Sequence, residues 1–345
     1  MEQMSDPRPV GAVVRTPLEV VVPSALAGLD EHRMQGWVLV GGDAHAPGPV
    51  TVVYCLAGGG CTTAYFDLRV DGRSGYSMAE HLARRGVVVV ALDHPGIGAS
   101  APAPDLFELT PDRVAAAHDL AARVVLDRLR TGTLAPGLAA TSPAVFVGVG
   151  HSMGGMLVGV QQAQHETFDA IAVLGHGGDG LPAVLTDDEL RAVRDAGASQ
   201  VALTARVVEL ARLRFADRPP QRRSRARAAG PDIFFADDVP DDVRAAFVAQ
   251  QTRLLYSCGL FSMVPSSTDR QKAVIGVPVF VAFGDEDLTD DRAGSAARYA
   301  ACNDLTVFVL EGSSHCHNQA TTRVVLWDRL ANWIQSIRGS MLDDR

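Results

Sequence analysis

The sequence is poor in the features that place a chain outside the ordinary globular class. No stretch reaches about 18 apolar residues without charge or glycine, and the opening MEQMSDPRPVGAVVRTPLEV has no uninterrupted apolar segment of the kind a leader needs. These absences argue against a membrane span and an export signal, so the expectation is a soluble, cytoplasmic protein. Cysteine is sparse: Cys55, Cys61, Cys258, Cys302 and Cys316 are odd in number and form no C-x-x-C pair. Neither a zinc site nor a disulfide framework is indicated, and a reducing compartment fits. Positive charge is in deficit, 31 Lys and Arg against 40 Asp and Glu, for a net charge of −9. That balance argues against a broad phosphate-binding surface and against nucleic acid as a partner. No internal repeat or extended low-complexity tract interrupts the chain. What it does have is apolar content, 47% of 345 residues, enough for a large core in one elaborated domain or two smaller ones.

The apolar residues are organised in short runs. PLEVVV, MQGWVLVGG and PVTVVYCLAGGG read as three strands separated by turn residues, the first two as a hairpin. YSMAEHLARRG follows as a short helix closed by Gly86, then VVVVALD as a strand buried on both faces. LTPDRVAAAHDLAARVVLDRL has Thr110 as N-cap, Pro111 at the first helical position and apolar residues at helical spacing. Strand and helix then alternate through AVFVGVG, a helix from Met153, DAIAVLG, VPVFVAFGDED, a helix near AGSAARYAA, LTVFVLEG and the final helix TRVVLWDRLANWIQSIR. The pattern predicts an α/β fold with a mostly parallel central sheet flanked by helices. Residues 177–276 break the alternation: they show helical patterns and no convincing buried strand. Thr186 with Glu189 forms a capping box for a helix ending at Gly197, and DDVRAAFVAQQTRLLY reads as one further helix from near Asp241. RPPQRRSRARAAGPD between them reads as a loop. The expectation is a core of residues 1–176 and 277–345 with an inserted helical cap over 177–276.

One serine has an unusual setting. In AVFVGVGHSMGGML, Ser152 stands where a strand turns sharply into a helix, with Gly150 and Gly154 two residues to either side. Such a turn leaves no room for side chains at those positions, and it raises the hydroxyl at the carboxyl edge of the sheet. The free N–H groups of the following helix face the same spot and suit a developing oxyanion. The five-residue pattern also occurs by chance, so its context decides.

In that context the chain resembles an α/β-hydrolase, from about Val50 to the C-terminus. GHSMGG is similar to the nucleophile elbow of that family's esterases and lipases, CLAGGG to its oxyanion loop with Ala57 where a histidine often stands, and ALDHPGIGAS to its D-x-x-G-x-G-x-S segment. The resemblance implies a Ser, acid, His order. Ser152 is then the nucleophile and Asp287, aligned through Gly284-x-x-Asp287, the acid, with Asp285 as runner-up. In LEGSSHCHN the implied base is His315, with His317 as the alternative. The implied oxyanion donors are the N–H groups of Met153 and of Gly59, with Gly60 next.

Other residues invite a functional reading. Tyr65 and Phe66, just past the glycine loop, are equally readable as substrate-pocket or as packing residues. His151 and His94 read as structural, Cys61 and Cys316 as buried or pocket-lining thiols, and Arg218, Arg222, Arg223, Arg225 and Arg227 as a solvated cap loop. The implied activity is hydrolysis of a carboxylic ester or lactone of a small-to-medium hydrophobic substrate through an acyl-enzyme, with no metal and no cofactor. Thioester or C–C bond hydrolysis by the same triad is the alternative, followed by a noncatalytic ligand-binding protein. Epoxide and haloalkane hydrolysis are disfavoured, because those branches normally carry an aspartate where Ser152 stands. The partner is a small-molecule substrate, and nothing in the sequence bears on oligomeric state.

Overall fold

The structure is a computed structural model that describes residues 12–41, 44, 48–196, 199–215, 233–289 and 291–343. Eight strands form one sheet: β1 (Val14–Pro23), β2 (Glu31–Val40), β3 (Val50–Leu56), β4 (Val87–Leu92), β5 (Pro143–His151), β6 (Ala170–Leu174), β7 (Val279–Gly284) and β8 (Leu305–Leu310). Their order is β1-β2-β4-β3-β5-β6-β7-β8. β1 and β2 make the expected antiparallel hairpin, β2 pairs antiparallel with β4, and the remaining pairs are parallel. Period-two geometry divides each central strand between two apolar layers. Val52, Tyr54 and Leu56 of β3 join one, with Val114 and Leu129 of α2 (Pro111–Arg130) and Leu157 of α3 (Met153–His165). Val53 and Cys55 join the other, with Leu82 of α1 (Met78–Ala83) and Leu330 of α10 (Arg323–Asp343). β3 and β4 are buried along their whole length, as their unbroken apolar runs require, whereas edge strand β1 alternates buried with exposed.

Between β6 and β7 the described residues contain helices and no strand: α4 (Asp187–Asp195), α5 (Gln200–Phe215), α6 (Asp241–Ala249), α7 (Tyr256–Met263) and α8 (Asp269–Ala273), with α9 (Arg292–Ala297) following β7. The capping box of Thr186 and Glu189 is formed in both directions. Thr110 is the N-cap of α2 as expected, without a capping hydrogen bond from its side chain. One expectation needs correction. The helix expected from Asp241 to Tyr256 stops early: α6 ends at Ala249, the chain leaves the helical path with Thr252 N–H donating to Gly60 O at 3.0 Å, and α7 begins only at Tyr256. Gly197 and the arginine tract from Arg218 to Arg227 lie outside the described residues. No helix among the described residues is long and apolar enough to cross a membrane.

In the chain order β3, β4, β5 the path moves first to one side of β3 and then to the other. The loops leaving β3 and β5 therefore diverge and open a crevice at their carboxyl ends, the place where open α/β sheets bind ligands. α3 starts there, pressed under β3 so closely that a Cβ on Gly154 would lie 2.1 Å from Leu56 O, and one on Gly150 2.1 Å from Gly154 O. Both contacts are with backbone, so no rotamer change relieves them. Gly154→Ala is accordingly expected to lower stability by at least about 2 kcal/mol, read as a reduced midpoint in urea unfolding with an unchanged slope.

Candidate active site

Three strand ends meet over this crevice. Ser152, between β5 and α3, has φ 56 and ψ −123, a sparsely populated conformation for a residue with a side chain. Its N–H donates to Leu174 O at the end of β6 at 2.7 Å, which fixes the turn to the neighbouring strand. Its hydroxyl lies 2.9 Å from His315 Nε2, on the loop after β8. His315 Nδ1 in turn lies 2.6 Å from Asp287 Oδ1, on the loop after β7. An ionised carboxylate only accepts, so Nδ1 carries the ring proton and Nε2 is the acceptor for the Ser152 hydroxyl.

Asp287 is the electrostatic centre of the cluster, its side chain 1% exposed. Oδ1 also accepts from Leu288 N–H at 2.7 Å. Oδ2 accepts from Gly284 N–H at 3.1 Å and from His317 Nε2 at 2.7 Å. His317 Nε2 also lies 3.1 Å from Gly284 N. A proton on Nε2 directed to the shorter, charged contact leaves Gly284 N–H to Oδ2. Burial alone would raise the Asp287 pKa; the two histidines reverse this by charge and hydrogen bonding and hold it well below the usual carboxylate range.

The alternatives considered from sequence fall in different places. His317 is fully buried, reaches the other carboxylate oxygen and makes no hydrogen bond to Ser152 among the described contacts. Asp285 is exposed and accepts from Gly312 and Ser313 N–H at 3.0 and 2.9 Å, so it ties the turn after β8 and touches neither histidine. His151 donates through Nε2 to His315 O at 2.8 Å, and burial, then the nearby histidines, pushes its pKa well below the ordinary value. Tyr65 stacks on it, with ring centroids 4.0 Å apart. Tyr65 and Phe66 are thereby under the site and form no part of the cavity wall, which corrects the pocket reading in favour of packing.

The glycine loop after β3 is shaped by what lies against it. A Cβ on Gly58 would be 2.9 Å from His151 Nδ1 and 3.2 Å from Ser152 Cβ, and one on Gly59 2.7 Å from Leu254 Cδ1. Gly60 has φ +76. Met153 opens α3, so its N–H has no carbonyl a turn behind it within the helix. Asp93 of the D-x-x-G-x-G-x-S segment accepts from Thr63 N–H at 2.7 Å and Ala99 N–H at 2.8 Å, pinning the stretch beyond the glycines.

Sequence reasoning missed a second support. His94 Nε2 donates to Ala57 O at 2.9 Å, which requires His94 Nδ1 to accept from His118 Nε2 at 2.8 Å and His118 Nδ1 to accept from Tyr54 OH at 2.9 Å. All three groups are fully buried, and burial brings the His94 pKa to about 4, so the chain is neutral and runs one way. It anchors the residue before the glycines, where the family pattern often has a histidine of its own. Phe234 was also missed, whereas Leu254 and Phe247, legible from sequence as part of an apolar roof, are on the cavity wall. Cys316 N–H donates to Phe234 O at 2.8 Å, and the Phe234 ring meets His315 edge-on at 5.6 Å.

Ser152, His315, Met153 and the three glycines line a cavity of about 230 Å³, whose wall is completed by Phe215, Phe247, Leu254 and Tyr256. Cys61 and Cys316 are on its wall. No cluster of His, Cys, Asp and Glu suited to a metal ion occurs among the described residues.

Comparison with known proteins agrees with this architecture. The model of the alpha/beta hydrolase family matches residues 53–326. No curated protein matches the sequence. Among solved structures, the chain is similar to a highly thermostable carboxyl esterase from Bacillus coagulans, at 17% identity and TM-score 0.59, with 93% of this chain and 99% of that chain covered. An esterase from Thermogutta terrifontis matches at 13% identity and TM-score 0.57, covering 93% and 99%. An epoxide hydrolase from Vigna radiata matches at 15% identity and TM-score 0.55, covering 93% and 98%. At these identities the likeness is one of fold, while the family match spans most of the sequence: the chain belongs to the alpha/beta hydrolase family.

Proposed function

We propose that the protein is a serine hydrolase that cleaves a carboxylic ester of moderate size through an acyl-enzyme. The observation that carries the reading is the continuous chain from Ser152 Oγ to His315 Nε2 at 2.9 Å and from His315 Nδ1 to Asp287 Oδ1 at 2.6 Å. As Ser152 attacks the carbonyl carbon, its proton passes to His315 Nε2 and the carbonyl π electrons move onto oxygen. The imidazolium so formed is stabilised by Asp287, which is already ionised and needs no reorganisation. The N–H groups of Met153 and Gly59 receive the oxyanion, with Gly60 adjoining. Collapse of the tetrahedral species expels the alcohol, which takes the proton from His315, and water then releases the acid by the same steps. No metal or cofactor takes part. Residues 177–276 act as a cap: their aromatic and aliphatic side chains over Ser152 exclude water and favour an apolar acyl chain. A serine at the elbow separates this chemistry from the carboxylate nucleophile usual in epoxide-cleaving members of the family.

With a graded series of p-nitrophenyl acyl esters, wild type is expected to show a chain-length optimum, and Ser152→Ala a loss of kcat of at least about 1,000-fold. Residual turnover within tenfold of wild type in that variant would contradict the assignment. The two histidines on Asp287 are separable. His315→Ala is expected to match the Ser152→Ala loss, whereas His317→Gln, which keeps a side-chain donor for the carboxylate, should lower kcat by less than about 30-fold. The reverse ranking would make His317 the base.

A further inference from the structure

We infer that His176 binds a second acceptor oxygen on the substrate, apart from the reacting ester; the inference rests on the hydrolase reading above. His176 follows β6 and Gly175, is 8% exposed, and lines the cavity that contains Ser152. Gly175–His176 packs against α3 and against His315. A Cβ on Gly155, in the first turn of α3, would lie 3.3 Å from His176 Cβ, and one on Gly175 would lie 3.2 Å from His315 Nδ1.

The ring is polar, buried and without a use in the protein. Nδ1 is fully buried with no partner, and no hydrogen bond of Nε2 is formed among the described residues. Burial, and then the charges of Lys272, His315 and Arg298, hold its pKa well below the ordinary value, so the ring is neutral and carries one proton. The position of that proton follows from cost. A buried N–H without an acceptor is more costly than a bare buried lone pair, so Nδ1 is left bare and Nε2 carries the hydrogen on the cavity side. Several neighbouring donors on the wall are already engaged, whereas two acceptors there, Gln251 Oε1 and the bare His151 Nδ1, have no partner among the described residues. Thr289 Oγ1 donates to Asp179 at 3.1 Å, Ser262 Oγ to Gly259 O at 2.8 Å, and His151 Nε2 to His315 O at 2.8 Å. Lys272 Nζ, one of the cations that act on the ring, donates to Gly177 O at 3.0 Å.

His176 is thus a preformed neutral donor on the wall of a cavity of mixed polarity. A site of this kind discriminates strongly, because a substrate without the matching oxygen displaces water from the N–H and leaves it unpaired. The substrate class is an ester bearing an additional oxo or ether oxygen, in either its acyl or its alcohol portion.

Two matched pairs test this and separate the sources: p-nitrophenyl levulinate against valerate for an acyl-side oxygen, and methoxyethyl against n-butyl valerate for an alcohol-side one. Wild type is expected to favour the oxygenated member of one pair by about 10-fold or more in kcat/KM, expressed mainly in KM. His176→Phe should bring that ratio close to one, and His176→Gln, whose amide retains a donor, should recover a substantial part of it. Equal rates within both pairs for a wild-type enzyme that reacts with a fluorophosphonate at Ser152 would overturn the inference and leave the hydrolase reading intact. A preference that survives in a folded His176→Phe variant would also overturn it. A wild-type enzyme that does not react with the probe would remove the reading on which the inference rests.

Discussion

Asp287 holds a negative charge out of water, and the loops around the site are arranged to make that possible. A buried carboxylate left alone would take up a proton, and a neutral acid would neither fix the His315 tautomer nor stabilise an imidazolium. Here it is met by four donors, the rings of His315 and His317 and the N–H groups of Gly284 and Leu288. The two rings come from the loop after β8 and the N–H groups from Gly284 at the end of β7 and Leu288 on the loop after it, so the charge ties adjacent strand ends together. His151 continues the network by donating to His315 O, and Tyr65 stacks beneath it.

The second constraint is the close approach of backbone at the elbow. The strained dihedrals of Ser152 persist because its N–H is held by Leu174 O and because α3 is lodged against the Leu56 carbonyl. The glycine loop is then confined between His151, Met153 and Leu254, and its outer edge is bonded to Thr252. The segment following α6 therefore does two things. It lines the cavity with Leu254 and Tyr256, and it braces the loop that carries Gly59 and Gly60.

Much of this was legible in the sequence because the signals were local. All eight strands coincide with short apolar runs between turn residues, and α2 begins at the expected Thr110 and Pro111. The elbow was readable because two glycines flank Ser152 at positions where backbone packing excludes a side chain. The rest was not legible because it depends on partners far apart in sequence. Helical periodicity continues past Ala249, and nothing nearby reveals that Thr252 pairs with Gly60 instead. Tyr54, His118 and His94 form one hydrogen-bonded chain from β3, α2 and the loop after β4. Tyr65 beside the glycine loop is compatible with either pocket or packing until the position of the His151 ring is known.

The central claim is that Ser152 is a nucleophile activated by His315, and covalent labelling tests it most directly. Intact-mass spectrometry after exposure to a fluorophosphonate should show one adduct on the wild-type chain, mapped to Ser152 and absent from Ser152→Ala. A wild-type chain that remains unmodified, or an adduct that persists in Ser152→Ala, would contradict the account.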